Sequence, residues 1–212
     1  MDEIRSYRDM PDEQIFDDFE DLVFAGHPLG RNVLGTEKSV RKFRREDILG
    51  FIHRNYRLGE VVIASAGEID FKKFSGMVAR HFSRFPDRGE SHPRIPCSGY
   101  QPFRVNRRKR TAQVHCIIGG PAYPFGHENQ VAMGLFTNLL GGPVMNSRLA
   151  LALRERKGLT YHNEAFYAAY SDAGIAGIYF GTDPGRYEEA LDVAGRELKL
   201  LREKHLSPIQ LH

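Results

Sequence analysis

Two cysteines, Cys97 and Cys116, are all that the 212 residues contain, and no CxxC pairing joins them. A disulfide framework is therefore excluded as the main support of the fold, and two reduced thiols are expected. No apolar run approaches the roughly 20 residues that a membrane span needs, so no membrane partner is expected. The start, Met1-Asp2-Glu3-Ile4-Arg5, has no apolar stretch of the secretory type, and a cytoplasmic location is the expectation. A large charge of one sign is also missing. The formal net charge is only +3, which gives no ground for a nucleic-acid partner.

Motifs that would announce a chemistry are scarce as well. None of the histidines pairs with another at the spacing of HExxH or HxxEH, and His127-Glu128 fails because position 131 is Val. Either spacing would set two imidazoles on one helical face. There is no GxSxG and no P-loop, and Gly119-Gly120 and Gly141-Gly142 are expected to be turns. The charge that is present is unevenly placed. Acidic side chains crowd residues 1–24, and basic clusters follow at Lys38, Arg41, Lys42, Arg44, Arg45 and at Arg104, Arg107, Arg108, Lys109, Arg110. Solvated faces are the expected role of these runs.

What the chain does have is apolar spacing. Ile15, Phe19 and Leu22 form one helical stripe, and Pro11 either kinks that helix or starts it. Helices are expected near Arg45–Tyr56 and Phe71–Phe82, with a short buried strand at Val61-Val62-Ile63-Ala64 between them. Pro86, Pro93, Pro96 and Pro102 then mark an extended linker. A strand is expected at Thr111–Ile118 and a helix near Glu128–Leu140. A second helix runs from Asn146 or Ser147 to Lys157, where Gly158 suits a left-handed cap. Strands near Tyr161–Tyr170 and Gly174–Gly181 and a closing helix from Tyr187 complete the pattern. The fold class expected is α+β, as two-layer helix/sheet modules. The expected boundaries are 1–85 for the first module, 86–106 for the linker and 107–212 for the second.

One junction holds more than packing residues. In Leu153-Arg154-Glu155-Arg156-Lys157-Gly158-Leu159-Thr160-Tyr161, a helix end, a glycine stop and a strand start lie together. A reversal at Gly158 would bring the Arg154 guanidinium and the Tyr161 phenol toward one spot. Two such donors suit a peptide carbonyl or a developing oxyanion. The bland alternative makes Arg154 a helix-end cation favoured by the dipole and Tyr161 a core residue of an edge strand.

With Leu140-Gly141-Gly142, Ser147-Arg148-Leu149 and Gly158-Leu159-Thr160-Tyr161 in this order, the chain resembles the pitrilysin/insulinase (M16, inverted zinc-motif) metallopeptidases, the family of the mitochondrial processing peptidase. Asp2-Glu3-Ile4, Gly26-His27-Pro28-Leu29-Gly30-Arg31 and Leu34-Gly35-Thr36 resemble the segment that follows the family's HxxEH motif. The resemblance implies that Glu3 is the third zinc ligand, and that Arg154 and Tyr161 reach from the second module to substrate. It also implies Zn2+ as the cofactor of a longer parent, with none expected in this fragment, whose two ligand histidines and catalytic glutamate are absent.

The reading that follows is a fragment of a zinc-dependent endopeptidase acting on peptides or unfolded segments, inactive alone, with both modules cut short. Uncovered strand edges and apolar faces would then make it self-associate. Two alternatives stay open: a non-catalytic family subunit that binds peptide and assists an active partner, and a binding module that uses its basic clusters.

Overall fold

The computed structural model describes residues 1–84 and 94–204, which fall into two compact units. One unit joins Met1–Gly35 to the chain from Pro96 onward, and the other is Thr36–Ile95. Residues 85–93, where the expected linker begins, lie outside the described residues, and residues 94–111 form neither helix nor strand.

The larger unit is built on three antiparallel strands, β1 (Val114–Pro121), β2 (Thr160–Ala169) and β3 (Gly174–Thr182), in the order β1-β3-β2. The central β3 is apolar on both faces, so alternate side chains enter two different cores. On one face Ile178 and Phe180 pack with Leu140 of α6 (Gln130–Gly141), with Leu149, Leu153 and Leu159, and with Ala190, Val193 and Ala194 of α7 (Tyr187–Glu203). Phe180 is wholly buried and lies flat against Tyr187, with ring centres 6.5 Å apart.

The opposite face is covered by a helix from the start of the chain. After a short α1 (Asp2–Arg8), α2 (Pro11–Val23) begins on Pro11, where the missing N–H costs nothing. Its stripe of Phe16, Phe19 and Val23 lies on the sheet. Phe16 and Phe19 meet the Phe166 ring edge-on at 5.2 and 5.9 Å, and Ile175 completes this second core. The close approach needs glycine at position 119. A Cβ there would lie 2.3 Å from the Ala176 carbonyl oxygen and 2.9 Å from Phe19 Cζ. Gly119 and Gly120 therefore lie within β1, rather than in the turn their residue type suggests. Polar contacts hold α2 down: Tyr170 Oη donates to Glu20 at 3.0 Å, and Arg107 pairs with Asp18 at 2.6 Å.

The smaller unit carries α3 (Glu37–Val40), α4 (Arg45–Asn55) and α5 (Phe71–Phe82). Caps set where two of them start: the Thr36 hydroxyl accepts from the Ser39 N–H, and the Asp70 carboxylate from the Lys73 N–H at 2.9 Å. Both α4 and α5 are amphipathic, yet neither has a buried residue. Val61–Ala64 is not the buried strand expected: it forms no strand, and Val62 is 92% exposed. β-branched residues favour extended backbone, but a strand also needs a neighbour for its N–H and C=O groups. Among the described residues no strand pairs with this segment, whose Val61 N–H donates instead to Leu58 O in the preceding turn.

Candidate functional site

Arg154 and Tyr161 stand on either side of a braced reversal. The helix after Ser147 widens into a π-helical turn at Ala150–Glu155, where the Arg156 N–H donates to the Leu151 carbonyl at 3.0 Å. Such turns recur at functional positions because they shift side chains out of α-helical register. Gly158 then takes φ +55°, and its N–H donates to Arg154 O at 2.9 Å. That left-handed value is one a Cβ would oppose. The Leu159 N–H donates to Leu153 O at 2.7 Å, turning the chain toward β2. Two outside side chains lock the turn. Arg186 donates to the carbonyls of Gly158 and Lys157 at 2.8 and 3.1 Å, and the buried Thr182 hydroxyl donates to Leu159 O at 2.7 Å.

The two donors are presented differently. Arg154 Nε is held by Glu155 at 2.9 Å, whereas its Nη2 is buried without a hydrogen-bond partner among the described residues. A buried guanidinium nitrogen left unpaired is costly, so this atom is a donor in want of an acceptor. Tyr161 is 84% exposed, far too open for the core residue of the bland alternative. Its exposure comes from a β-bulge. Thr160 pairs with Thr182 and Asn163 with Phe180, so Tyr161 and His162 together oppose the single residue Gly181. Bulges re-aim side chains, and they gather beside active sites. No hydrogen bond joins Arg154 to Tyr161 among the described residues.

Glu3 lies in the first turn of α1, exposed, where a carboxylate suits the helix dipole. No group of three His, Cys, Asp or Glu that would hold a metal occurs among the described residues. A catalytic zinc needs three protein ligands, and Glu3 alone would supply one of them.

A cluster that motif reading passed over lies on the α2 side of the sheet. His115 of β1 and Tyr179 of β3 are joined at 2.9 Å through Nδ1 and Oη, with the rings stacked, and His162 of β2 meets Tyr179 edge-on at 5.4 Å. Burial first, then the carboxylates of Asp12, Glu164 and Glu13, push the Tyr179 hydroxyl up to about 12. Burial lowers His115, against an opposing pull from Asp12. A search for histidines on one helical face cannot find residues that meet across strands. The signal lay in the register of His115 and Tyr179, which needs the pairing to be known.

The model of the peptidase M16 inactive domain matches residues 42–211. The chain belongs to the peptidase M16 family. The uncharacterized zinc protease YmxG of Bacillus subtilis is 29% identical over 99% of this chain and 50% of its own length. The probable mitochondrial-processing peptidase subunit beta of Schizosaccharomyces pombe is 29% identical over 82% of this chain and 41% of its own length. The chain thus spans about half the length of the M16 relatives it matches. The α+β fold agrees with the crystal structure of a peptidase M16 inactive domain from Pseudomonas fluorescens. That match has a TM-score of 0.86 at 17% identity, covering 98% of this chain and 50% of the other.

Proposed function

We propose that this chain is part of a zinc-dependent endopeptidase acting on peptides or unfolded segments, in which Arg154 and Tyr161 bind the substrate backbone or the tetrahedral oxyanion. The observation that carries this reading is the braced reversal at Gly158. It sets an unpartnered guanidinium nitrogen and an exposed phenol at its two ends. Fixed donors of this kind stabilise charge that develops on a carbonyl oxygen. Glu3 is proposed as one zinc ligand in the longer protein, the remaining ligands lying outside this chain. Modules at 1–85 and 107–212 and a cytoplasmic location belong to the same proposal.

The test compares this chain with a longer protein that carries an HxxEH segment. After exhaustive dialysis the chain alone is expected to retain no stoichiometric zinc and to leave a quenched fluorescent peptide library uncut, while the longer protein cleaves it. Tight one-to-one zinc in the 212-residue chain, with cleavage, overturns the reading of Glu3 as a lone ligand.

A second reading makes the chain part of a non-catalytic subunit that binds peptide beside an active partner. It is favoured by the description of the matched family model as the inactive domain. Cleavage by the longer protein alone decides between the two. The basic-cluster alternative is weakened by Arg107, whose charge is paired with Asp18 of α2, while the Lys109 ammonium donates to Gln14.

The uncovered faces of α4 and α5 and the unpaired Val61–Ala64 segment support self-association, a second copy covering this apolar surface. Phe71 is 77% and Ile48 56% exposed. Sedimentation velocity over a hundredfold range of concentration is expected to show a rising mean mass. A strict monomer at the highest concentration speaks against it.

A further inference from the structure

We propose that His115 and Tyr179 are positioning residues for Tyr161, fixing the β2 bulge from which that phenol is presented. This deepens the reading of Tyr161 as a substrate-contacting group and rests on it for its purpose, though not for its geometry.

The extra residue of a bulge has no ladder partner, so the shape of the bulge must be fixed by side chains. Asn163 Nδ2 donates to Thr160 Oγ1 at 2.9 Å, spanning Tyr161 and His162. Beside it, the His162 ring rests edge-on against Tyr179. Tyr179 is only 2% exposed, and its hydroxyl is fixed by His115 Nδ1 at 2.9 Å. The three rings therefore run across the sheet in strand order, β1 to β3 to β2, with Tyr179 as the wedge between two imidazoles. Space for the pair comes from the residue facing the bulge. A Cβ on Gly181 would lie 3.3 Å from Gln113 Oε1, 3.5 Å from Tyr179 Oη and 3.7 Å from His115 Nδ1.

The bond joins a protonated phenol to an imidazole that burial disfavours charging, and the His115 tautomer sets which of Nδ1 and Oη donates. The Tyr179 backbone is held in the ladder on both sides, so loss of the bond to His115 frees the ring rather than the strand, and with it the His162 ring that rests on it and the adjoining Tyr161.

The chain contains no tryptophan, so Tyr161→Trp installs a single fluorophore at the exposed position. Its steady-state anisotropy and acrylamide quenching are read alone and combined with Tyr179→Phe, His115→Phe, His115→Gln or Gly181→Ala, with circular dichroism confirming the fold. Tyr179→Phe and His115→Phe are expected to lower the anisotropy, because the hydroxyl or its partner is gone. His115→Gln retains both a donor and an acceptor and is expected to preserve it. A role in packing alone predicts the reverse order for the two His115 variants. Gly181→Ala crowds the same pair without removing a polar group, so it gives the answer if a buried variant fails to fold; a lowered anisotropy is expected there too. Anisotropy equal to the parent in Tyr179→Phe, His115→Phe and Gly181→Ala overturns the proposal. The readout involves no catalysis, so it is separate from the reading of function. A silent Tyr161→Phe in the longer enzyme removes that reading and leaves the positioning intact. Where both hold, Tyr179→Phe in the longer enzyme lowers kcat by up to roughly 10²-fold, the cost of a misplaced contact.

Discussion

Tyr161→Phe, made in the longer zinc-bearing protein, is expected to lower kcat by roughly 10²–10³-fold, the usual loss when one oxyanion donor is removed. The exposure of the residue sharpens the test. At 84% exposed the ring contributes little to packing, so thermal melting of the variant should match the parent. Zinc content should also be unchanged, because only a hydroxyl is lost. Arg154→Ala is expected to raise KM and lower kcat together, since a charged donor to the substrate backbone disappears. Folding should survive this change, as alanine suits the helical segment and the Glu155 carboxylate is exposed to water. If both residues served only the helix–strand junction, Tyr161→Phe would be silent in steady-state kinetics and Arg154→Ala would appear mainly as a lowered melting temperature. An unchanged kcat in Tyr161→Phe ends the assignment.

Phe180→Ala is expected to destabilise the larger unit by about 3–5 kcal/mol, the range for removing a large buried aromatic side chain. Phe180 is wholly buried and central to the cluster that joins β3 to α6 and α7. Its neighbours cannot readily close the gap, because strands pair with β3 on both sides. Against a typical total of about 5–15 kcal/mol, the loss is large enough to leave much of the protein unfolded near its growth temperature. Urea titration followed by circular dichroism measures it as a fall in midpoint. A midpoint within the error of the parent would mean that the sheet and helices do not share one core.

Several elements were legible from sequence because their signals are local. The spacing of Phe71, Phe74 and Val78 locates α5, and Pro11, expected either to kink a helix or to start one, starts α2. Gly158 likewise marks the reversal that separates Arg154 from Tyr161. The misreadings came from positions where distant chain decides. Gly119-Gly120 resembles a turn, yet position 119 needs glycine because Phe19 and the Ala176 carbonyl crowd it inside β1. Val61–Ala64 has strand composition but no described neighbour to pair with. The α+β class could be read from the mix of helical and strand spacing, and the family from the order of short motifs. The π-helical turn, the bulge opposite Gly181 and the His115–Tyr179 contact could not, since each depends on register between segments rather than on residue type.

The placement of α2 has a consequence for how the protein is made. Tyr170 reaches back to Glu20 across 150 residues, and Phe166 closes over Phe16 and Phe19 from a similar distance. Synthesis at about 5–20 residues per second makes that interval roughly 8–30 s. Throughout it, the apolar stripe of α2 has been synthesised while β3, the central strand it will cover, has not been translated. Contacts so distant in sequence also form late for entropic reasons. During that interval α2 is open to chaperones and proteases, and the acidic side chains between those phenylalanines, Asp17 and Asp18, keep the waiting segment hydrated and apart from its neighbours.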